Sequence, residues 1–210
     1  MVIVGAKGFA KEVLEIFSQQ QDLEGIYFYD DVSQDLPEAL YGRFPVLKTP
    51  ADAARIFAQD PRFVLGVGNP KVRRKLAQKM TELGGQLCSS VSPHAFIGAF
   101  NNTIGTGVNI MTGSILTNDV VVGEGVLINL NCTVGHDNVL GDYCELSPGV
   151  HLSGNVTIGK EVVIGTGAVL LPGVSIGDNS IIGAGSVVNR DVESNVIAVG
   201  IPAKVIKTLS

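Results

Sequence analysis

A branched aliphatic residue occupies every sixth position along most of the second half of the chain. Between residues 104 and 188 the pattern holds without a break at Ile104, Ile110, Leu116, Val122, Ile128, Val134, Leu140, Leu146, Leu152, Ile158, Ile164, Leu170, Ile176, Ile182 and Val188. Neither the helical period of about 3.6 nor the strand period of 2 selects every sixth residue. A hexad repeat of this kind predicts a parallel β-helix, in which three hexads make one coil and residues 18 apart stack at roughly 4.8 Å.

The residue that follows each aliphatic differs between the three corners of the predicted coil. At one corner it is always glycine, namely Gly105, Gly123, Gly141, Gly159 and Gly177. Because glycine tolerates positive φ, we expect these five residues to make a tight corner by adopting it. The other two corners carry mixed residues, so they are the places where functional side chains are expected.

Residues 1–90 follow another pattern, in which short apolar runs alternate with amphipathic segments. The runs "VIVG", "GIYFYDD" and "RFVLGVGN" predict strands, and "FAKEVLEIFSQQ", "DAARIFAQ" and "PKVRRKLAQKMTELG" predict helices. In the last helix, Val72, Leu76, Met80 and Leu83 lie at core spacing. The alternation predicts a small Rossmann-like α/β domain over residues 1–90, followed by a β-helix over residues 91–210.

The turn between the first strand and the first helix, "GAKGFAK", carries two glycines, Gly5 and Gly8. Backbone N–H groups at such a helix start can hold a phosphate. The second strand ends in Asp30 and Asp31, where a ribose or base edge would be read. The complete G-x-G-x-x-G motif is absent, so a structural glycine turn with solvated acids stays open beside a nucleotide site.

Composition narrows the function classes. The net charge of −5 argues against a partner that is a nucleic acid, because phosphate binders carry a basic face. No apolar run approaches the ~20 residues that cross a bilayer, and no secretory signal is visible, so neither a membrane partner nor export is expected. Three cysteines without C-x-x-C spacing suggest neither a disulfide framework nor a zinc site. A cytoplasmic protein without a bound metal is predicted.

The motifs "VIVGAKGFAKEV", "FYDD", "GVGNP", "INLNCTVGHDNVLGDY", "LSPGVHLSGNVTIG" and "AVGIPAKVI" together resemble one family. It comprises the bacterial sugar acyltransferases that N-acetylate 4-amino nucleotide sugars, of the bacillosamine type, and their relatives described as sialic-acid O-acetyltransferases. The resemblance covers nearly the whole chain. It implies a left-handed β-helix, a homotrimer, acetyl-CoA as the acyl donor, and an active site between neighbouring β-helices.

The resemblance also implies roles for individual residues. His136 matches the general base, Asp137 the acid that follows it, and Asn129 a polar residue that lines the site. The remaining matches are to ligand-binding positions: Gly5, Gly8, Asp30 and Asp31 for the nucleotide part of the sugar substrate, and Gly154, Gly173 and Lys204 for the coenzyme.

Two positions depart from the bacillosamine type. Phe9 and Glu145 stand where those members have histidines, close to the acceptor sugar or the acyl group in the family. We therefore count Phe9 among the substrate-binding residues and Glu145 among the catalytic ones. The departures leave open whether the acceptor is nitrogen or oxygen, and O-acetylation of a sugar is the alternative.

The chemistry explains why an imidazole would stand at position 136. An acceptor ammonium must lose a proton before it attacks a thioester, and free imidazole accepts protons near neutral pH. Asp137 is one candidate to orient the ring. Because adjacent side chains on an extended strand would diverge to opposite sides, Glu145 or a group from a neighbouring chain is the alternative. The alternatives are a β-helix that binds a sugar nucleotide without turnover, a γ-type carbonic anhydrase and an NAD-dependent enzyme; histidine spacing and the short front domain disfavour the last two.

Overall fold

The N-terminal part of the chain is a three-layer α/β unit in the computed structural model, which describes residues 1–209. Its six-stranded sheet has the order β3-β4-β2-β1-β5-β6, with parallel neighbours except for the antiparallel pair β3–β4. The elements are β1 (Val2–Val4), α1 (Gly8–Gln19), β2 (Tyr27–Tyr29), β3 (Ala39–Leu40), β4 (Phe44–Leu47), α2 (Pro50–Phe57), β5 (Arg62–Leu65), α3 (Pro70–Glu82) and β6 (Gln86–Leu87).

Alternation along β1 builds the two cores of this unit. Ile3 packs with α1 on one side of the sheet, whereas Val2 and Val4 pack with α2 and α3 on the other. Thr49 and Asn69 cap α2 and α3 through their side chains, and a proline follows each cap at the first helical position. The predicted strands and helices of this unit are all present.

The buried side of α3 agrees with the prediction at Leu76, Met80 and Leu83, which pack in one cluster, but not at Val72. Pro70, Arg73, Ala77 and Met80 are buried, whereas Val72 is 44% exposed. The departure at Val72 arises because the first turns of this helix pack against a second unit through a polar residue, Arg73, which the pattern of apolar residues does not register.

The rest of the chain winds into a parallel β-helix, the left-handed kind implied by the family resemblance, with two-residue strands on three faces. Face 1 comprises β7 (Ser90–Val91), β10 (Asn109–Ile110), β13 (Leu127–Ile128), β16 (Glu145–Leu146), β19 (Val163–Ile164) and β22 (Ile181–Ile182). Face 2 comprises β8 (Phe96–Ile97), β11 (Ile115–Leu116), β14 (Thr133–Val134), β17 (His151–Leu152), β20 (Val169–Leu170) and β23 (Val187–Val188). Face 3 comprises β9 (Thr103–Ile104), β12 (Val121–Val122), β15 (Val139–Leu140), β18 (Thr157–Ile158) and β21 (Ser175–Ile176).

The pairing register confirms the coil that the repeat predicts. Asn109 pairs with Leu127 and Leu127 with Glu145, so each strand lies 18 residues from its neighbour on the same face. The sixth-position aliphatics point inward and form one continuous buried core. A C-terminal hairpin, β24 (Val196–Gly200) and β25 (Ala203–Thr208), extends face 1.

The explanation given above for the five corner glycines is wrong. None of them has positive φ, and the left-handed residues at this corner stand two places later, as at Gly107 and Tyr143. The glycines are needed because successive coils approach closely: a Cβ on Gly105 would lie 2.6 Å from the backbone of Gly123. Such a contact is too short for any side chain.

The chain changes from the first sheet to the β-helix at residues 88–89. β6 still pairs with β5, while β7 already pairs with β10 on face 1. This change supports the predicted division into 1–90 and 91–210, which stays a proposal about folding units. No helix in residues 1–209 is long and apolar enough to cross a membrane.

The contacts between the α/β unit and the β-helix include an apolar cluster and a fully buried guanidinium. Ile16 of α1 meets Met111 and Leu127 in a small buried cluster. Arg73 of α3 is fully buried, and its guanidinium donates to the carbonyl oxygen of Gly125 at 3.0 and 2.8 Å. It also donates to Asn109 Oδ1 at 2.7 Å and to the carbonyl of Val67 at 2.8 Å.

Burial lowers the pKa of Arg73 to about 10, and the nearby Glu145 carboxylate opposes that shift. The group therefore stays charged at neutral pH. A buried charge costs free energy unless hydrogen bonds compensate it, and here they come from both units. Arg73 consequently ties the position of the α/β unit to face 1.

We expect Arg73→Met to lower the free energy of unfolding by about 3 kcal/mol or more, because three buried acceptors lose their donor. Urea unfolding followed by circular dichroism measures this. Arg74→Met is the matched control: Arg74 is largely exposed and pairs with Glu161, so its loss should cost less than about 1 kcal/mol. Equal losses in the two variants would contradict the role of Arg73.

Candidate functional site

His136 stands on the corner between faces 2 and 3, in the turn formed by residues 135–138. Asp137 adopts a left-handed conformation with φ of 58°, which folds its carboxylate back beside the imidazole. His136 Nδ1 lies 2.6 Å from Asp137 Oδ2. The expectation that adjacent side chains diverge is therefore wrong, because this pair lies in a turn and not on an extended strand.

The hydrogen bond to Asp137 decides which ring nitrogen can act as a base. Because an ionised carboxylate only accepts, Nδ1 carries the proton and donates it to Asp137, which leaves Nε2 as the acceptor. The side chain of His136 is 64% exposed. The ring can therefore meet a substrate through Nε2.

Two of the predicted coenzyme residues lie on the same corner in the following coils. Gly154 is one coil beyond His136, and a Cβ there would come within 2.5 Å of the ring atoms Cε1 and Nε2. Gly173 lies a further coil along, has φ of 78° and faces open space, and its N–H donates to the Gly154 carbonyl at 3.1 Å. His136, Asp137, Gly154 and Gly173 thus share one edge of the β-helix, here called the histidine edge.

A cavity of about 210 Å³ opens in the α/β unit at the carboxyl ends of β1 and β2. It is lined by Val4, Gly5, Tyr29, Asp30, Asp31, Val32, Ser33, Val67, Val72 and Leu76. Ligands of parallel α/β sheets bind at this end of the strands. Five of these lining residues, four valines and one leucine, have aliphatic side chains, and such an apolar wall suits the flat surface of a base.

The two predicted acids of this cavity are already engaged. Asp30 accepts from the N–H groups of Val32 and Ser33 at 3.1 and 2.9 Å, so it shapes the loop at the rim. Asp31 Oδ2 accepts from Lys79 Nζ at 2.5 Å. Burial raises the pKa of Asp31, but the hydrogen bond and charge of Lys79 outweigh it and hold the pKa below its usual value.

The hydroxyl of Tyr29 is buried and has no hydrogen-bond partner within residues 1–209. Burial raises the pKa of this group, so it stays protonated and remains a donor. Lys79 Nζ lies 5.3 Å from the centre of the same ring. An unsatisfied buried hydroxyl beside an apolar cavity is a place where a polar ligand atom would bind.

The glycine turn beside the cavity leaves backbone donors at the start of α1. Lys7, the N-cap residue, makes no side-chain hydrogen bond to the helix, and Gly8 is exposed with open space around its Cα. At Gly5, φ is 112° and a Cβ would lie 2.7 Å from the Gly66 carbonyl oxygen, so only glycine is tolerated. A phosphate at this helix start would meet free N–H groups and the positive end of the helix dipole.

Phe9, Asn129 and Glu145 lie where the α/β unit meets the β-helix. Phe9 packs against the buried cluster of Ile16, Met111 and Leu127. Asn129 is buried, and its Oδ1 accepts from the Leu130 N–H at 2.8 Å. Glu145 faces the loop before α3, since a Cβ on Gly68 would stand 3.5 Å from its Oε1. All three belong to the cavity side of the molecule, and Lys204 lies exposed in the hairpin that extends face 1.

One chain therefore carries two separate groups of predicted site residues. The cavity, Phe9, Asn129 and Glu145 lie on or beside face 1, whereas the histidine edge is the corner opposite face 1 in a three-faced coil. The structure does not bring His136 together with Asn129 or Glu145 within one chain. Nor do any three His, Cys, Asp or Glu side chains of residues 1–209 cluster as metal ligands.

Sequence reasoning missed Tyr29 and Lys79 in the cavity and Asn138 beneath the histidine turn. Tyr29 and Lys79 give no local signal because they meet only after α3 packs on the sheet. Asn138 does leave one: it interrupts a column of small apolar residues that includes Val120, Val126 and Cys132. A polar residue in an inward column indicates a specific hydrogen-bonding task.

Comparison with known proteins identifies both parts of the chain. The PglD N-terminal domain family matches residues 1–80, and the bacterial transferase hexapeptide family matches residues 139–172 and 155–190. No curated protein matches the chain in sequence.

Several solved structures resemble the entire chain. A histidine mutant of perosamine N-acetyltransferase from Caulobacter crescentus, in complex with CoA and GDP-perosamine, is 33% identical with a TM-score of 0.90, over 98% of this chain and 96% of that one. The acetyltransferase domain of PglB from Neisseria gonorrhoeae FA1090, in complex with acetyl coenzyme A, is 31% identical with a TM-score of 0.88, over 98% of both chains. WeeI from Acinetobacter baumannii AYE is 31% identical with a TM-score of 0.85, over 98% and 100%.

The environment of Glu145 generates a pH-dependent prediction. Burial raises its pKa above the usual 4.5, while the charge of Arg73 and the Ser147 hydroxyl oppose the shift. For a carboxyl group whose pKa is raised by folding, the contribution to stability is full below the unfolded pKa and is lost as the pH rises through the folded pKa. Glu145→Gln removes the ionisable group, so the variant does not lose this contribution to stability as the pH rises.

We therefore expect the difference in melting temperature, Glu145→Gln minus wild type, to be more positive at about pH 7 than at about pH 4. Thermal melts of both proteins across this range measure it. Glu12→Gln, on the exposed side of α1, is the control and should show no such trend. A difference that is flat or falls with pH would show that Glu145 is not buried as described.

Proposed function

The chain belongs to the hexapeptide-repeat sugar N-acetyltransferases that carry a PglD-type N-terminal domain, and from this membership we propose that it transfers acetyl from acetyl-CoA to the amino group of a nucleotide-linked 4-amino sugar. The observation that carries the proposal is the full-length match to an enzyme in complex with CoA and GDP-perosamine. The His136–Asp137 pair supplies the chemistry this reaction needs.

His136 acts as the general base in this proposal. The Asp137 carboxylate accepts a hydrogen bond from the Nδ1–H group of the imidazole, which leaves Nε2 without a proton. Nε2 then takes a proton from the attacking amine as the new N–C bond forms. The C–S bond of the thioester then breaks, and CoA leaves as the thiol after taking up a proton. A backbone N–H of the neighbouring turns donates to the thioester oxygen as negative charge develops there.

Gly154 and Gly173 suit the thioester arm of CoA for a steric reason. The missing side chain of Gly154 makes room for the imidazole of His136, and Gly173 faces open space on the same edge. A narrow acyl chain and its pantetheine arm fit along such an edge, with their amides close to exposed backbone groups. Lys204 lies on the hairpin that extends face 1, so in the assembly proposed below Lys204 of a neighbouring protomer would meet the charged end of the coenzyme, which carries phosphates.

The cavity of the α/β unit binds the nucleotide in this proposal. The free N–H groups at the start of α1 receive the diphosphate, and Gly5 lets it approach the backbone. The base lies on the apolar walls, with the Tyr29 hydroxyl, Asp31 and Lys79 at its polar edge. Asp30 contributes mainly by shaping the rim loop through Val32 and Ser33.

An acceptor bound in the cavity cannot reach His136 of its own chain, because the histidine edge lies opposite face 1. We propose that the chain forms a homotrimer in which the histidine edge of one protomer faces the cavity side of the next. Phe9, Asn129 and Glu145 would then line the sugar from the side of the nucleotide-binding protomer. Cyclic symmetry gives three equivalent sites of this composition.

N-acetylation is proposed ahead of O-acetylation because the full-length matches include an N-acetyltransferase that is in complex with its amino-sugar nucleotide. The enzyme would work in the cytoplasm, and its three free cysteines accord with a reducing compartment.

We expect His136→Ala to lower kcat by about 10²-fold or more, because the base is lost while binding surfaces remain. Release of CoA thiol with a panel of UDP-, GDP- and dTDP-linked 4-amino sugars measures turnover. His94→Ala is the matched control, since His94 is an exposed residue near the start of the β-helix. Near-normal turnover of a folded His136→Ala protein would contradict the assignment.

Mixing two inactive variants tests whether each site uses two chains. One variant carries His136→Ala, and the other carries Asp30→Ala with Asp31→Ala, which disables the cavity. After the two are unfolded together and refolded in equal amounts, about one quarter of sites should combine an intact cavity with an intact histidine edge. Activity that stays at the level of the separate variants would place both groups in one chain.

A further inference from the structure

The side chain of Asn138 joins two successive turns of the histidine edge from the inside. It is fully buried, and its amide donates to the carbonyl oxygens of Gly135 at 3.0 Å and Ser153 at 2.9 Å. Its Oδ1 accepts from the Val156 N–H at 2.6 Å. One side chain therefore satisfies three main-chain groups, one in the turn of His136 and two in the turn of Gly154.

These bonds flank the reactive ring on both sides. Gly135 directly precedes His136, and Ser153 directly precedes Gly154, on which the imidazole lies. The hydrogen bonds of Asn138 therefore fix the distance between the two turns at the point where the imidazole of His136 lies. The ring is largely exposed, and it contacts Asp137 through Nδ1 and the backbone of Gly154 on one side.

The same chain contains the same arrangement in a place that carries no predicted site residue. Asn102 donates to the carbonyls of Gly98 and Thr117 at 2.8 and 2.7 Å and accepts from the Val120 N–H at 2.9 Å. Residues 18 apart stack at this corner with their side chains pointing inward, and the successive residues are Asn102, Val120, Asn138 and Val156. Each asparagine thus forms hydrogen bonds with its own turn and with the turn of the next coil. Only the pair of turns joined by Asn138 carries the histidine.

We infer that Asn138 is a positioning residue for the transfer reaction: it locks the turns at 135–138 and 153–156 together so that His136 Nε2 is held in line with the reacting groups. The inference rests on the proposed role of His136. Misplacement of a catalytic group by about 1 Å can cost 10²-fold in rate, so rigidity at this surface turn affects kcat directly.

The test compares Asn138→Ala with Asn102→Ala, because both variants lose the same three hydrogen bonds at the same corner. Both should form trimers and lose similar thermal stability. We expect Asn138→Ala to lower kcat by roughly 10- to 100-fold with little change in KM for either substrate. Asn102→Ala should keep kcat within about 3-fold of wild type. Equal kcat values for the two variants would overturn the inference.

A second measurement separates positioning from general weakening of the fold. In a His136→Ala background, Asn138→Ala should lower the residual kcat by less than about 3-fold, because the group that it positions is already gone. The same fold-loss in both backgrounds would show a structural effect and overturn the inference. If His136→Ala itself keeps full turnover, the base assignment fails. If His136→Ala loses turnover but Asn138→Ala does not, the role of His136 stands and the role of Asn138 is contradicted.

Valine variants keep the test open if an alanine variant does not assemble. Val120 and Val156 occupy the equivalent inward positions, so this corner accommodates valine. Asn138→Val and Asn102→Val lose the amide but fill its space, and the same difference in kcat is expected between them. Equal kcat values for this pair would overturn the inference in the same way.

Discussion

The buried guanidinium of Arg73 is the interaction on which the arrangement of the two units depends. Its hydrogen bonds run to the Gly125 carbonyl and Asn109 of the β-helix and to the Val67 carbonyl in its own unit. A charge without access to water is tolerated only when such partners surround it, so moving the α/β unit off face 1 would leave a buried charge without partners. Because Val67 also lines the cavity, the same side chain fixes where the nucleotide site lies relative to the coil.

This placement determines what one protomer can and cannot do. With the cavity on face 1, the corner between faces 2 and 3 becomes the far edge of the prism, and His136 stands there. The left-handed residue at position 137 gives the imidazole its carboxylate partner within the same turn, and the missing side chain of Gly154 makes room for the ring. The histidine edge holds the proposed base and its carboxylate partner, and the cavity lies on the other side of the chain, so the proposed reaction calls for two protomers at each site.

The sequence predicts those features that repeat or that depend on neighbouring residues. The sixth-position aliphatics specify the coil because each one must point inward, and the alternation before residue 90 specifies the α/β layers. Three predictions failed because the cause lies in the three-dimensional packing. The corner glycines are required by the close backbone of the next coil, and Arg73 is buried on α3 where Val72 was expected. Asp137 adopts a positive φ that turns its carboxylate toward the imidazole. The grouping of site residues could not be predicted because it depends on which corner faces the α/β unit.

The same reasoning explains why polar residues stand in an otherwise apolar core. A two-residue strand leaves four-residue turns whose main-chain groups must find partners, and the ladder between coils satisfies only part of them. Asn138 supplies the missing partners for two turns at once, in the one coil pair that carries the histidine and its adjoining glycine. Arg73 does the same for main-chain carbonyls of both units. In each case a buried polar side chain fixes the relative position of two segments, the two turns for Asn138 and the two units for Arg73, which apolar packing alone does not specify. A proposed substrate site lies directly beside each of these side chains.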